Sequence, residues 1–158
     1  MSSRPSWVKT LPDSKMVFPD TLPEQVKYVF WRLYTPLHPM FRDMLLQLGI
    51  IEHSGRQNFL IGKVAPGQSI RDFVSHLVSL GYGNHFIAWI DQGEVAGLRY
   101  VRDFRHQYHI RVFEDGEIRG HFEYTPECYP ILHMKAVNQV DCRTEFMKVI
   151  GDRIVPIK

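Results

Sequence analysis

The sequence predicts an α+β fold on an antiparallel sheet, and three observations carry that prediction. Residues Tyr108 to Tyr124, YHIRVFEDGEIRGHFEY, are two alternating runs joined at Glu114-Asp115-Gly116, the period-two pattern of paired strands. An earlier stretch, Ile87 to Gly97, repeats them at a constant offset of 23 residues; Ile, the loop Gly, the following Glu and the mid-strand Gly coincide. Elsewhere apolar residues recur at helical spacing, between capping residues and glycines.

Residues 1–20 hold Pro5, Pro12 and Pro19. They read as an irregular arm with a short edge strand at Met16–Phe18 and with Trp7 docked on the core. A single α+β domain over 21–158 is expected to follow. Thr21-Leu22-Pro23-Glu24 is a helix start, because threonine can cap and proline is tolerated in the first turn. Val26, Val29, Phe30 and Leu33 form its apolar stripe, and the helix should stop before Pro36. A second helix runs from about Pro39 to Leu48, with Met40, Met44, Leu45 and Leu48 inward and Gly49 as its stop. The linker between them, Thr35 to Pro39, does not suit a DNA-reading helix-turn-helix.

Ile50–Gln57 reads as a turn region and Phe59–Ala65 as a strand. Ser69 caps a third helix, whose Ile70, Phe73, Val74 and Leu77 face inward and which Gly81 closes. The region from Pro66 to Ser69 lacks the lysine and spacing of a phosphate-binding loop. Two hairpins follow, at about 85–101 and 107–124, joined by the short linker Arg102–His106 into one meander. After Tyr124 a turn leads into an extended Tyr129–Met134. Asp141 caps a last helix ending near Ile150, and the tail Ile154–Ile157 is apolar enough to add a strand. Helices are expected to cover one face of the sheet.

Pairing in the second hairpin follows from its pattern. A two-residue loop would set Val112 across from Arg119 and mix apolar with polar on both faces. A three-residue loop with Gly116 left-handed sets Val112 against Ile118, Ile110 against Gly120 and Tyr108 against Phe122, which gives one apolar face. The other face then carries His109 opposite His121 and Arg111 opposite Arg119, with Glu117 and Glu123 diagonal. Where this hairpin has Arg111, Arg119 and His121, the first has Ala88, Ala96 and Leu98. The first therefore belongs in the sheet centre, and the second is expected to keep one wet face.

Composition narrows the classes. A chain of 158 residues, 44% hydrophobic and 23% charged, can build a core without disulfides or metal, burying roughly 70% of its unfolded surface. A net charge of +2 is light for a duplex DNA binder. The N-terminus has no apolar signal region, and no apolar run approaches the ~20 residues of a spanning helix. Cys128 and Cys142 make no CxxC pair. The expectation is a cytoplasmic protein without a membrane partner. Eight histidines are the compositional oddity.

Three readings of the polar face follow. In the first, facing Arg111 and Arg119 grip an anion, a phosphate-containing ligand such as a nucleotide or single-stranded RNA. Arg99, Arg102 and Tyr108 extend that ligand-binding set. Tyr34, Tyr82, Trp89 and Phe113 offer stacking surfaces. His109 and His121, oriented by Glu123, then share acid and base roles in phosphodiester chemistry that needs no cofactor or metal. In the second reading the face is ordinary surface laced with weak ion pairs, and the protein is a non-enzymatic interaction module or a homodimer packing through it. In the third, His109, His121 and Glu123 form a two-histidine, one-carboxylate metal site, with His133 or His106 as a further ligand. His38, His53, His76 and His85 stand apart from these, as does a Cys128–histidine nucleophile.

Overall fold

The computed structural model describes residues 5–51, 59–85, 90–133 and 140–156. Trp89, His53 and the first strand expected of the earlier hairpin lie outside them.

The helical half begins with α1, Leu22–Tyr34, which follows Thr21 and carries Pro23 in its first turn. Pro36 ends the regular α-helix but not the helical path. A 3₁₀ turn, Thr35–Leu37, leads straight into α2, His38–Gln47, and Gly49 follows in the left-handed region at φ 66°. Strand β1 is Leu60–Val64. Helix α3, Ile70–Ser79, is capped by Ser69, whose side chain accepts from Asp72 N at 3.1 Å. Then come β2 (Gly83–Asn84), β3 (Glu94–Val101), β4 (His106–Phe113) and β5 (Glu117–Tyr124). A short α4, Pro130–His133, stands where an extended segment was expected. Helix α5, Arg143–Ile150, is started by Asp141, whose carboxylate accepts from Arg143 N at 2.9 Å. The apolar tail supplies β6, Ile154–Pro156.

The six strands form one sheet in the order β2-β3-β4-β5-β1-β6, with antiparallel neighbours throughout. In the β4–β5 hairpin Val112 faces Ile118, Ile110 faces Gly120, Tyr108 faces Phe122, His109 faces His121 and Arg111 faces Arg119. Gly116 takes φ 79°, the conformation the three-residue loop needs. The alternation of side chains therefore fixes the register. No edge strand forms at Met16–Phe18; the backbone of the arm joins β2 through a bridge between Asp13 and Asn84.

One face of the sheet carries the apolar core. Ala96, Leu98, Ile110, Val112 and Ile118 pack there against Phe73, Val74 and Leu77 of α3 and Phe146 and Ile150 of α5, and Trp7 leans on the cluster. Gly120 is required at its place: a Cβ there would stand 2.9 Å from the Phe146 ring and 2.8 Å from His109 O.

The other face is closed as well, which the sequence did not predict. His109, Arg111, His121 and Glu123 are all buried. The cover comes from sequence-distant pieces. Ser14 and Met16 of the arm meet Arg99, the buried segment 125–128 ties to the β3–β4 linker through Thr125 Oγ1 donating to Phe104 O, and α4 brings in His133. Helix α1 braces this cover: Lys27 Nζ donates to Cys128 Sγ at 3.6 Å, and Tyr28 meets the Phe104 ring edge-on.

The stripes of α1 and α2 do not enter the core as expected. Trp31 and Leu45 are buried, but Val26, Val29, Phe30, Leu33, Met40, Met44 and Leu48 are exposed. Periodicity identifies an apolar face; it does not say that this chain covers it.

Candidate functional site

The closed face has three polar zones, and side-chain alternation on β3, β4 and β5 puts them in line. At one end Arg99 is fully buried. Its guanidinium donates to both oxygens of Glu127, at 3.1 and 2.9 Å, and to Gln107 Oε1 at 3.1 Å. At the other end Arg111 donates to Glu94 through Nε at 3.0 Å and pairs with Asp91 at 2.7 Å. Arg119 turns to Glu117. Each arginine thus has its own carboxylate, which removes the repulsion that an anion was expected to relieve.

Between these ends lies an imidazole cluster. His109 and His121, facing each other on β4 and β5, have ring centroids 5.2 Å apart, nearly perpendicular. His85, just past β2, stands 5.0 Å from the His109 ring and 5.7 Å from the His133 ring. Glu123 sits among them. Its Oε1 accepts from Gln107 Nε2 at 2.7 Å. Its Oε2 lies 3.0 Å from His121 Nε2 and 3.5 Å from His133 Nδ1. His109 Nδ1 is 3.8 Å from Glu123 Oε1. The His121 contact is close but outside hydrogen-bond geometry: neither ring nitrogen of His121 has a hydrogen-bond partner, nor has His109 Nε2, nor either nitrogen of His85. His133 Nδ1 is engaged with Tyr124 O at 2.9 Å. Donating there, it leaves the lone pair on Nε2.

Burial sets the charge states. It pushes His85 and His109 well below the ordinary histidine value; Arg99 reinforces this at His85, and at His109 the pull of Glu123 the other way is outweighed. Burial alone would raise Glu123, but the imidazoles of His133, His121 and His109 hold it well below the usual carboxylate range. Glu123 is therefore an anion in a sealed place. Among the described residues its partners are Gln107 and histidines, whereas Glu94, Asp91 and Glu127 each have an arginine.

Ligand atoms of His109, His121 and Glu123 all lie within 4.8 Å of one another. Two imidazoles and a carboxylate on adjacent strands are the donor set of a facial two-histidine, one-carboxylate centre. Gln107, whose Oε1 accepts from Arg99, orients the carboxylate through Nε2, as outer-shell partners of metal ligands do.

The predicted site residues divide accordingly. His109, His121, Glu123 and His133 come together. Arg99, Arg102, Arg111, Arg119 and Tyr108 do not form one binding set. Arg99 and Arg111 are saturated at opposite ends, and Tyr108 and Arg102 meet Phe122 on the other face. Tyr82 and Phe113 are buried and offer no stacking surface. His106 shares the face of Tyr108: it stacks on Phe122 and contacts Asp103 at 3.0 Å, so it is no ligand here. His38, which the sequence left apart from the candidate site, is buried against Trp31 and Tyr34, and burial lowers its pKa to about 4. His85 is the member the sequence undervalued. Its pairing runs two residues away from a register that would set it across from Arg99: His85 N donates to Gly97 O, and Gly83 faces Arg99.

The chain matches no protein family model, and no curated protein or solved structure resembles it at a significant level.

Proposed function

We propose that this protein binds one divalent transition-metal ion through His109, His121 and Glu123, with His133 beside them. The observation that carries this reading is a buried carboxylate whose partners among the described residues are Gln107 and imidazoles, with His121 Nε2 at 3.0 Å, His133 Nδ1 at 3.5 Å and His109 Nδ1 at 3.8 Å. A buried polar atom left unpaired costs about 1–3 kcal/mol, and a buried unpaired charge costs more. One cation would satisfy the anion and the nitrogens together. Imidazole with one carboxylate suits iron, zinc, copper or nickel better than magnesium or calcium, which prefer all-oxygen sets. Binding a nucleotide or RNA on this face would need an open surface, and so would dimerisation through it; the burial of His109, Arg111 and His121 is why the metal reading is preferred.

The test is the metal content of purified protein, before and after reconstitution with iron(II), manganese, zinc and copper. One ion per chain, lost in His109→Ala/His121→Ala, supports the reading. Protein that stays metal-free after reconstitution overturns it.

A second reading rests on α1 and α2. Phe30, Leu33, Leu37 and Met40 are each more than half exposed, more contiguous apolar surface than isolated exposed residues give. We propose this as the surface of an interaction module or homodimer. Sedimentation of Phe30→Asp/Leu33→Asp against the parent tests it: an unchanged, monomeric mass in both excludes the homodimer.

A further inference from the structure

We propose that the cavity where the sheet meets α5 and the end of α3 binds the trimethylammonium group of a small solute. It lies on the apolar face of the sheet, opposite the imidazole cluster, and is independent of a metal there.

Strand alternation builds the site. Leu98 and Ile110 enter the core; Tyr100 and Tyr108, two residues away on the same strands, continue that face and stand opposite each other across β3 and β4. The chain leaving α3 turns at Gly81, φ 95°, and brings in Tyr82. A Cβ at Gly81 would stand 3.3 Å from the Tyr100 ring, so glycine lets this turn seat against that ring. The Tyr82 and Tyr100 rings are 5.6 Å apart at 45°. Phe146 of α5 meets Tyr108 edge-on, with centroids 5.7 Å apart at 68°. These four rings line a cavity of about 300 Å³, with Leu80 beside them and Glu145 as the one charged residue lining it.

The chemistry of the lining selects the occupant. The volume is at the lower end for ligand sites, ~300–1,000 Å³, so the bound group is compact. Tyr82, 7% exposed, forms the closed wall, and Tyr100, 39% exposed, forms the mouth. The inclined rings present no parallel pair between which a flat ligand could slide. Tyrosine faces attract a cation through the ring quadrupole, and Glu145 adds a full negative charge. Burial pushes the Tyr82 hydroxyl up in pKa, so Tyr82 stays neutral and Glu145 is the anion of the site. A primary ammonium brings three N–H donors that each need an acceptor. A trimethylammonium group has none, keeps its charge at every pH and presents methyl groups to the apolar walls.

The test is an NMR titration of the full chain with choline. Its uncharged isostere 3,3-dimethyl-1-butanol and a trimethyllysine peptide serve as comparisons. Choline should give a saturable response at Tyr82, Tyr100 and Tyr108, and the isostere should bind at least ~10-fold more weakly. Tyr100→Leu should weaken choline roughly three- to thirtyfold, and Glu145→Gln roughly two- to fivefold. Both positions are exposed, so both variants should keep the parent spectrum away from the cavity, and neither should change binding of the isostere by more than about twofold. No saturable response to choline would overturn the site. An isostere that binds as well as choline would overturn the selection for a cation, as would choline affinity unchanged in both variants. A peptide that binds while choline does not would overturn the small solute as occupant.

Discussion

Glu123→Gln separates a metal ligand from a structural ion pair. Glutamine fits the same space. Its carbonyl can accept from Gln107 Nε2 as Glu123 Oε1 does at 2.7 Å, and its amide can donate to the unpaired His121 Nε2 beside it, 3.0 Å from Oε2. The substitution removes a buried anion and its burial penalty while keeping both hydrogen-bonding ends of the side chain, so metal-free protein should gain about 1–3 kcal/mol, the cost of an unsatisfied buried group. At ~2–4 °C per kcal/mol for a chain this size, that is a rise of several degrees in Tm. The parent should gain ~2.7 kcal/mol from metal at a hundred times its Kd, and Glu123→Gln should lose most of that gain. Thermal unfolding of both proteins, with chelator and with each metal, reads both quantities. A drop of about 3–5 kcal/mol in chelator, the cost of breaking a buried ion pair, would show that a protonated histidine already balances Glu123 and would refute the unbalanced-anion reasoning.

Four further outcomes follow. Metal-free protein should lose stability in acid, because the folded pKa values of His38, His85 and His109 lie below their unfolded values. The unfolded chain then binds more protons in the interval, so stability is complete above about pH 6.5 and falls toward pH 4, by up to ~1.4 kcal/mol per pH unit for each group; urea unfolding in chelator from pH 8 to 5 measures it, and a flat profile contradicts it. Gln107→Leu should weaken metal affinity about 10–100-fold by freeing Glu123 Oε1, read by chelator competition. Arg111→Ala should cost about 3–5 kcal/mol by stranding Glu94 and Asp91, while metal content stays at one per chain; salt-sensitive loss of a phosphate ligand at unchanged stability would instead restore the anion-binding reading. Gly120→Ala should cost about 1–3 kcal/mol through overpacking against Phe146, seen in denaturant midpoints.

Much of the sheet was legible because its signals are local. The alternation across Gly116 admits one register that keeps an apolar face, and Ile154 to Pro156 reads as a strand from its own composition. His109, His121 and Glu123 were legible for the same reason, since cross-strand pairing follows from register. Burial of their face was not legible. The cover is made by Ser14, Met16 and the 125–133 segment, and the arginines find partners, Glu94, Asp91 and Glu127, that lie 17, 20 and 28 residues away in sequence. A pattern of alternating polar residues looks the same whether water or a sealed polar interior lies above it. His85 was undervalued because β2 pairs two residues away from the register that would set His85 across from Arg99, and His106 was overvalued because adjacent residues on a strand point to opposite faces. The apolar faces of α1 and α2 show the converse limit: helical spacing marks a sticky surface without naming what covers it.

The central claim is tested most directly by crystals of metal-reconstituted protein measured at the metal absorption edge. A single anomalous peak about 2.0–2.2 Å from nitrogen atoms of His109 and His121 and from Oε2 of Glu123 is predicted. Well-ordered density for these side chains with no anomalous peak among them would contradict it.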